Sequence, residues 1–575
     1  MNRLVRQVLP ISSEEFAKMF RRCRPPSGWS ETIAVSNSGG PDSTCLLFLI
    51  NRFLSENAHM RDVPRRAVSI HINHDLQASA ASMAEQCAES AKSIGVEHFT
   101  YKIPWSKGSW PHKPNDTTME SDARNARYRI LNDVVTDLDA DIVAMGHHLD
   151  DQIETSLMRV MKGSTPDGAA GMKCIRRWGM GFGYQEKDHA RGMFAYEGMR
   201  RWIIRPLLSL PKDRIYATCN ENKLSYVTDP TNSDDTLTIR NSVRKWLSDP
   251  SQLDPSKLPP ETQKALDEFE IDISGGKERV YPILQELNHE SENIDQEGDS
   301  LVQRPFFHAD GPQVDSIISR STLGSPAGTY LISCPSLTPI TDPKIRRAFV
   351  LRILRYVSFR PWGSLGAQVN RRRHSLDLIT ENLWYPNPLQ WRITPFCAGG
   401  GVAWQPVVFR GNRFKMPEPS LYSALENNPM GWLASRQVPL NKNTGTMGWN
   451  PLTAHVTEFL RQKLRQNAAF AELAWDNRFL VTFDLTKMPS DVLEVLDHPH
   501  ADASIRINSR TRWFWPVVLL NKHGASDEIL HFKVESLEND LISELHKERD
   551  MSWKKMEEVQ SSWITTRFIR ALTSL

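Results

Sequence analysis

The feature that most constrains the fold is a regular alternation of short apolar runs and helical stretches between residues 32 and 243. The runs are rich in β-branched residues and have the length of buried strands: Thr32–Val35, Ala67–Ile72, Phe99–Ile103, Asp141–Met145 and Trp202–Ile204. Helical spacing lies between them, near residues 46–54, 79–94, 120–138, 150–162 and 211–224. This alternation predicts an α/β fold with a doubly wound parallel sheet, whose ligands bind at the carboxyl ends of its strands.

The length of the chain calls for more than one domain. It has 575 residues, which is more than one hydrophobic core ordinarily holds. We predict an N-terminal extension over 1–30, the α/β domain over 31–248 with a loop insertion at about 176–201, an acidic connector over 249–325 and a mixed α/β C-terminal region over 326–575. The stretch 249–300 is predicted to be irregular because Asp, Pro and Ser are followed there by acidic residues ending in NHESENIDQEGDS.

Composition excludes several classes of protein. No two of the seven cysteines form a C-x-x-C pair, which argues against a disulfide framework and against a zinc or iron–sulfur site built from cysteine alone. The longest apolar runs, such as Cys45–Ile50, are too short to span a bilayer, so a soluble protein without a membrane partner is expected.

The N-terminus bears on localisation. The first thirteen residues contain Arg3 and Arg6 and no acid, which is typical of a mitochondrial presequence. Because Glu14 and Glu15 follow at once, a frayed basic terminus explains the pattern equally well. We predict a mitochondrial protein, with a cytoplasmic location as the alternative.

A glycine-containing loop joins the first predicted strand to the first predicted helix. Glycine lets a backbone approach a ligand closely, and the helix N-terminus offers N–H groups and positive dipole to an anion. A carboxylate fits such a site when a cation accompanies the phosphate, as Mg²⁺ accompanies ATP. A simple glycine turn with a capping residue is the alternative. The predicted ATP-binding residues of the loop are Ser38, Gly39, Gly40, Pro41, Asp42 and Ser43, with Mg²⁺ near Asp42 and no metal held by protein ligands alone.

The sequence SGGPDS resembles the pyrophosphate-loop signature of the N-type ATP pyrophosphatases, which have a Rossmann-like fold. Six segments of residues 32–245 also resemble the tRNA(Ile)-lysidine synthase family in order and spacing, which is specific although each segment alone is weak: HINH at 71–74, DARNARY at 122–128, HHLDDQIET at 147–155, IRPLL at 204–208, DPTN at 229–232 and RNSVR at 240–244. Asn37 departs from the family, which usually keeps an apolar strand end there. The long insertions and divergent C-terminal half look like a eukaryotic, fungal-like organellar member.

Two carboxylates follow the fourth strand. Asp151 and Glu154 are i,i+3 at the start of a helix, so they share one face near the ligand edge of the sheet. Such a pair can hold an ammonium group and accept its proton, although acids also stabilise a first helical turn whatever else they do. The resemblance implies that Asp151, Glu154 and Arg240 bind free lysine.

The resemblance also implies roles for other polar residues of the predicted site. It assigns His71 and Asn73 to ATP, and it favours Arg127 over Arg124 for the phosphate of an adenylate. We predict that His147 and His148 are hydrogen-bonded structure or nucleotide contacts rather than transition-metal ligands. Arg205 is expected to be a structural ion-pair partner at a strand end.

The activity implied by the resemblance is ATP-dependent adenylation of the wobble cytidine of a tRNA(Ile) with a CAU anticodon, followed by attack of lysine to give lysidine. ATP and Mg²⁺, this tRNA and free L-lysine are the expected cofactors and partners, and a homodimer is left open. Two alternatives stay open: another tRNA-modifying enzyme of the same fold, such as a cytidine thiolase, and an inactive tRNA-binding homologue.

A basic stretch marks the C-terminal half. Between residues 344 and 374 there are nine Lys and Arg residues and no acid. Such a stretch suits phosphate-backbone contacts, with Trp362 available to stack on a base, and it is equally typical of a solvated basic helix. The predicted tRNA-binding residues are Arg346, Arg347, Arg355, Arg371, Arg372 and Arg373.

Overall fold

A computed structural model of the chain describes the following residues: 8–77, 79–107, 110–114, 119–161, 166–181, 196–227, 243–244, 247, 249, 260–268, 270–272, 276–303, 327–364, 367, 373–384, 395–410, 413–415, 430–438, 452–497, 503–509, 513–522, 526–533 and 558–573. The chain divides into two compact units, one of residues 1–178 with 200–293 and the other of residues 179–199 with 294–574. No helix in these described stretches combines the length and the apolar character that crossing a membrane requires.

The first unit is built on a six-stranded sheet in the order β3-β2-β1-β4-β6-β5. Its strands are β1 Thr32–Ser36, β2 Arg66–Asn73, β3 Glu97–Lys102, β4 Ile142–Met145, β5 Ile175–Arg177 and β6 Trp202–Ile204. All neighbours pair in parallel except β5, which runs antiparallel to β6 at the edge. The predicted doubly wound parallel sheet is therefore confirmed, and all five predicted strands are present.

Helices connect these strands. The helices of the first unit are α1 Ser13–Arg22, α2 Pro41–Glu56, α3 Ala80–Ile94, α4 Met119–Asp137, α5 Leu149–Val160, α6 Pro166–Ala169 and α8 Lys212–Glu221, with the short helix α7 Glu197–Arg200 at the unit boundary. Helix α2 buries the predicted apolar face against the sheet, since Leu46, Leu49, Ile50 and Phe53 are almost fully shielded from solvent. The helices predicted from periodicity in this unit are confirmed to within a few residues.

Part of the predicted N-terminal extension belongs to this fold. Helix α1 buries Phe16 and Phe20, and the Phe20 ring stacks on Trp29 at 4.6 Å and packs against Phe53 at 4.8 Å. An ion pair of 2.7 Å between Glu15 and Arg214 also ties the helix to α8. The sequence prediction was based on the alternation of strands and helices that begins at β1. Helix α1 precedes that strand, so it was assigned to the extension and not to the core.

Regular structure occurs in two stretches that were predicted to be loops. The insertion predicted at about 176–201 overlaps the end of the edge strand β5 and includes the helical turn α7, while residues 182–195 lie outside the described part. The stretch 249–300, predicted to be irregular, forms helices α9 Pro260–Glu268 and α10 Gly276–Gln303. Helix α10 is acidic on its exposed side yet buries Val280 and Leu284 at helical spacing, so its apolar face outweighs its polar composition.

The second unit is the mixed α/β region that was predicted. Its described residues form three antiparallel sheets, with the orders β10-β9-β11-β7 with β8 beside β9, β12-β15-β16-β17, and β13-β14-β18. The strands are β7 Tyr330–Ser333, β8 Phe396–Cys397, β9 Val402–Arg410, β10 Arg413–Lys415, β11 Met430–Arg436, β12 Thr453–His455, β13 Phe470–Trp475, β14 Phe479–Asp484, β15 Ser504–Ser509, β16 Pro516–Asn521, β17 Glu528–His531 and β18 Ile564–Phe568. The helices are α11 Cys334–Leu337, α12 Pro343–Val357, α13 Arg373–Trp384, α14 Thr457–Arg465 and α15 Ser490–Asp497, with a 3₁₀ turn at Leu485–Lys487.

Candidate phosphate-loop site

Asn37, at the end of β1, organises the loop. Its side-chain oxygen accepts from the Gly39 N–H and from the Ser43 hydroxyl, both at 3.0 Å, and its amide donates to the Ser69 hydroxyl at 3.1 Å. The residue is 1% exposed, so these bonds satisfy a buried amide. A polar residue stands at this strand end because it holds the loop, and the pairing of β1 with β2 and β4 stays regular through Ser36.

The loop then opens directly into helix α2. Gly39 adopts φ 83°, a conformation that glycine takes without strain, and Pro41 occupies the first turn of the helix. The N-cap is Gly40, and no side chain caps the helix. Backbone packs tightly behind the loop, since a Cβ on Gly146 would lie 2.9 Å from the Asp42 carbonyl carbon. A fixed loop followed by a helix N-terminus that no side chain caps has the geometry of an anion site.

A buried histidine links the loop to helix α5. The Nε2 of His148 lies 3.6 Å from Asp42 Oδ1 and 3.4 Å from Asp151 Oδ2, and the ring is 3% exposed. Lys212, from the start of α8, places its ammonium 3.5 Å from Asp42. One Asp42 oxygen is buried and lacks a hydrogen bond of good geometry. Two acids and two bases thus meet where β1, β4 and β6 end.

Electrostatics favours the charged forms of these groups. Burial by itself raises the pKa of Asp42, but the hydrogen bond and charge of His148 and the charge of Lys212 outweigh it, so the pKa of Asp42 is lowered. Burial alone lowers the pKa of His148, but its hydrogen bond to Asp42 and the charges of Asp151 and Asp42 raise it overall. The network therefore holds an imidazolium between carboxylates at moderately acid pH.

This network predicts a pH-dependent contribution to stability. Because the pKa of His148 is raised in the fold, its contribution is complete below the unfolded-state pKa of about 6.5 and is lost as pH rises through the folded-state value. Asp42, with a lowered pKa, contributes above its ordinary value of 3.8 and loses the contribution on acidification. We expect His148→Gln to reduce the unfolding free energy most between about pH 4.5 and 6.5, where Asp42 is ionised and the imidazole is protonated, and to reduce it progressively less as pH rises further.

Urea unfolding across that pH range measures the effect, with His59→Gln as the matched control. His59 is exposed in the turn after α2, so its replacement should leave the pH profile unchanged. A His148→Gln effect that grows as pH rises would contradict the assignment.

The two predicted lysine-binding carboxylates lie in different environments. Asp151 accepts from the His148 backbone N–H at 3.1 Å, in a capping box, and its side chain is 16% exposed. Glu154 is 2% exposed and forms a bidentate pair with Arg244, whose Nε and Nη2 lie 2.7 and 3.1 Å from its oxygens. Both carboxylates are on the predicted helix, but Arg240 lies outside the described residues.

Other predicted residues have structural partners here. The Nδ1 of His71 lies 3.0 Å from the Asn37 carbonyl oxygen, and Asn73 caps the turn after β2 by accepting from the Asp75 N–H at 2.8 Å. The Arg205 Nε donates to His147 Nδ1 at 3.3 Å. Arg205 is thus buried at a strand end as predicted, but its partners among the described residues are a histidine and a carbonyl and not the carboxylate of an ion pair.

The second unit contains the predicted tRNA-binding arginines. Arg346 donates to the Ile340 carbonyl and lies over the Trp384 ring, and Arg347 pairs with Asp377 at 3.0 Å. Arg355 lies 5.8 Å from the centre of the Trp362 ring. A fourth basic residue, Arg352, is buried between Asp295 and Asp299 and so is structural. Arg371 and Arg372 lie outside the described residues, and Arg373 begins α13 with a side chain that is not described.

Sequence reasoning missed three residues of this site. Asn37 was interpreted as a departure from a motif, and Lys212 was not distinguished from the other polar residues of the last predicted helix. In the RNSVR segment a role was assigned to Arg240 and none to Arg244. The available signal for Arg244 was Glu154, an acid placed between the apolar residues Ile153 and Leu157 of the predicted helix, because a carboxylate that faces a core needs a cation. Among the described residues, no three or more His, Cys, Asp and Glu side chains are grouped to hold a metal by themselves.

The parallel sheet, the glycine loop after β1 and the helix that follows define the class of protein. Residues 11–250 match the family model of the PP-loop domain. Within it, the chain is similar to curated tRNA(Ile)-lysidine synthases. It is 31% identical to that of Bacillus subtilis over 226 residues, which are 38% of this chain and 39% of the relative.

Two further relatives give the same picture. The tRNA(Ile)-lysidine synthase of Methylobacterium nodulans is 32% identical over 39% of this chain and 56% of its own length, and that of Alkalilimnicola ehrlichii is 33% identical over 39% and 42%. The chain therefore spans between about two fifths and little more than half of the curated relatives it matches. Among solved structures, a U34-tRNA thiolase NcsA from Methanococcus maripaludis has 16% identity and a TM-score of 0.31, covering 48% of this chain and 79% of that one, which is too weak to support an argument.

Proposed function

We propose that the chain is a lysidine-forming ligase acting on tRNA(Ile) with a CAU anticodon. The cytosine C2 carbonyl oxygen attacks the α-phosphorus of ATP and pyrophosphate leaves. The neutral ε-amine of lysine then attacks C2, a C–N bond forms, and AMP leaves with its oxygen. The observation that carries the proposal is the Asp42–His148–Asp151 network beside the phosphate loop, in a domain similar to lysidine synthases.

The residues of the loop fit a nucleotide phosphate. The start of α2 offers backbone N–H groups, and the Ser38 and Ser43 hydroxyls lie 3.1 Å apart beside it. The fit to Mg²⁺ rests on Asp42, which has one buried oxygen without a good hydrogen bond next to that anion site. Mg²⁺ bound there would offset phosphate charge as pyrophosphate departs. Arg127, on α4, is proposed to face the α-phosphate, and Lys212 to share in neutralising it.

Lysine is proposed to bind at the start of α5. Asp151 is the more exposed of the two carboxylates, so it is the better placed to take the ammonium group and its proton. Glu154 already shares its two oxygens with Arg244, so we assign it to the wall of the pocket, with Arg244 and Arg240 near the lysine carboxylate. This refines the role given to Glu154 by the resemblance.

The proposal also covers tRNA binding, cellular location and oligomeric state. Arg346, Arg347, Arg355 and residues 371–373 of the second unit are proposed to contact tRNA phosphates. The acid-free basic N-terminus supports a mitochondrial location. A homodimer, which sedimentation of the full chain would detect, is kept as a proposal.

Incorporation of radiolabelled lysine into tRNA(Ile) bearing CAU tests the activity. We expect label that requires ATP and that is lost when the anticodon is changed to GAU. Pyrophosphate release with a CAU tRNA but no lysine label would indicate adenylation for another nucleophile, such as sulfur in a cytidine thiolase. Binding of tRNA without pyrophosphate release or label would indicate an inactive homologue, and either result would refute lysidine formation.

A further inference from the structure

A second group of charges in the PP-loop domain is not used by the mechanism above. The guanidinium groups of two α4 residues lie over the ring of Tyr128, which is 7% exposed, and arginines of β5 and of the end of β6 are near enough to act on its hydroxyl. Arg124 lies 5.5 Å from the centre of that ring, and among the described residues the hydroxyl donates to the sulfur of Met145 at 3.7 Å. The residues of this arginine cluster are Arg124, Arg159, Arg176 and Arg205, with Arg127 beside them.

The arginine cluster has an excess of positive charge. Within the part of the chain that the structure describes, Arg159, Arg176 and Arg205 bond to backbone carbonyls and a histidine, and neither they nor Arg124 pair with a carboxylate. Burial and the charge of Arg176 lower the pKa of Arg205 to about 10. Arg205 is buried, whereas Arg124 is exposed and Arg159 and Arg176 are partly exposed, so an anion can reach the cluster from solvent. Neighbouring positive charges that repel one another are costly when one of them is buried, unless an anion joins them.

The pKa of Tyr128 reflects the positive charge of the arginine cluster. Burial by itself raises the pKa of the Tyr128 hydroxyl, but the charges of Arg176, Arg124 and Arg205, with Arg127, outweigh it and lower that pKa to about 7. A pKa near neutrality is unusual for a phenol and follows here from the positive charges around it.

The carbonyls that the cluster holds form one strap. Arg159 donates to the Gly168 carbonyl at 3.2 Å and to that of Gly171, Arg205 donates to Lys173 at 2.8 Å, and Arg176 donates to Trp178 at 3.2 Å. A guanidinium has five N–H donors, and the bonds to the carbonyls of residues 168–178 use only some of them. The remaining donors of each arginine are held in a fixed direction by those bonds. Arginine in such a fixed fork suits the paired oxygens of a phosphate.

The cluster also extends away from the nucleotide loop. Arg205 contacts His147 at the carboxyl edge of the sheet, next to His148 of the loop network. Arg159 lies eight residues after Asp151 on α5, which is about 12 Å along the helix axis. The cluster thus extends from Arg205, next to the loop network, to Arg159 on α5. A ligand that contacts both of these arginines has to begin near the reacting groups and continue along α5, as an RNA strand would.

We infer that the arginine cluster binds the RNA backbone phosphates next to the cytidine that enters the phosphate-loop site. This rests on the proposed function for the identity of the RNA. The cluster would position the strand through its phosphates without reading its sequence, and the strap of residues 168–178 would set the spacing of the guanidinium groups.

Ionisation of Tyr128 gives a readout that needs no turnover. The phenolate absorbance of the full chain near 295 nm, minus that of Tyr128→Phe, is recorded at pH 8 while a CAU anticodon stem-loop RNA is added without ATP or lysine. We expect the difference signal to fall on binding, because phosphate charge offsets the arginines and the pKa of Tyr128 rises. An equal fall with ATP alone would assign the phosphate to the nucleotide, and no change with RNA would refute a phosphate site; both overturn the inference.

Variants at accessible positions supply the second arm. Arg124→Gln and Arg176→Gln should each weaken binding of the stem-loop about tenfold and reduce its salt dependence by about one ion, with ATP binding unchanged. Arg124→Lys should recover part of the affinity. Arg65→Gln is the matched control, since Arg65 is exposed just before β2, at the opposite edge of the sheet.

The two arms separate this inference from the proposed function. RNA binding and the Tyr128 signal without lysine label would keep the phosphate site and reject lysidine formation. Lysine label with a KM for tRNA that neither glutamine variant changes would keep the activity and reject the site. Thermal unfolding of each variant checks that the strap is intact, and Arg176→Lys replaces Arg176→Gln if the latter unfolds.

Discussion

Replacing Asp42 with asparagine is expected to lower ATP-dependent lysine incorporation by about 10²–10³-fold, the loss typical of one charge-stabilising contact in a transition state. The carboxylate is ionised at neutral pH because its pKa is lowered, and it lies beside the N-terminus of α2 where phosphate charge is proposed to develop. Asparagine keeps the size and a hydrogen-bonding oxygen, but it removes the negative charge that faces His148 and Lys212 and that Mg²⁺ would need at the proposed site.

Single-turnover release of pyrophosphate measures this effect separately from the lysine step. Asp62→Asn is the matched control, because Asp62 is exposed and its ion pair with Arg24 lies at the surface. The control should retain activity within about twofold, as exposed pairs contribute little. Pyrophosphate release by Asp42→Asn at the rate of the unmodified chain would show that Asp42 has no part in adenylation.

The sheet and the loop could be predicted because both follow local rules. β-Branched runs such as Ala67–Ile72 and an apolar helical face such as that of α2 are readable one segment at a time, and the glycine loop stands between them in sequence. The helices at Pro260–Glu268 and Gly276–Gln303 were missed because their average composition is polar and acidic. Their apolar positions are few, and only contact with α5 shows that these few suffice.

The site was harder to predict where partners are distant in sequence. The capping position of Asp151 is local, and its motif was recognised. The contacts of His148 with Asp42 and of Glu154 with Arg244 join residues about a hundred positions apart, so no spacing rule finds them. The arginine cluster has the same origin, since its members come from four separate elements whose charges add only once the sheet has formed.

The Glu154–Arg244 pair is expected to contribute the largest single polar effect on stability among the described residues of the first unit. Glu154 is 2% exposed, and Arg244 binds both of its oxygens. Arg244→Ala would remove the bidentate partner of a buried carboxylate, which typically costs about 3–5 kcal/mol. We expect that loss in the unfolding free energy at pH 8, together with weaker lysine binding, because an altered Glu154 disturbs the same helix face as Asp151.

Urea unfolding of three variants tests this. Arg66→Ala is the matched control, because its pair with Glu97 is exposed at both ends and should cost no more than about 1 kcal/mol. The double variant Arg244→Ala with Glu154→Gln should recover a large part of the loss, since a neutral amide needs no counter-charge in the core. If Arg244→Ala cost as little as Arg66→Ala, the pair would be only a surface contact. Glu154 would then be available to bind lysine directly, in the role that its motif implies and without Arg244.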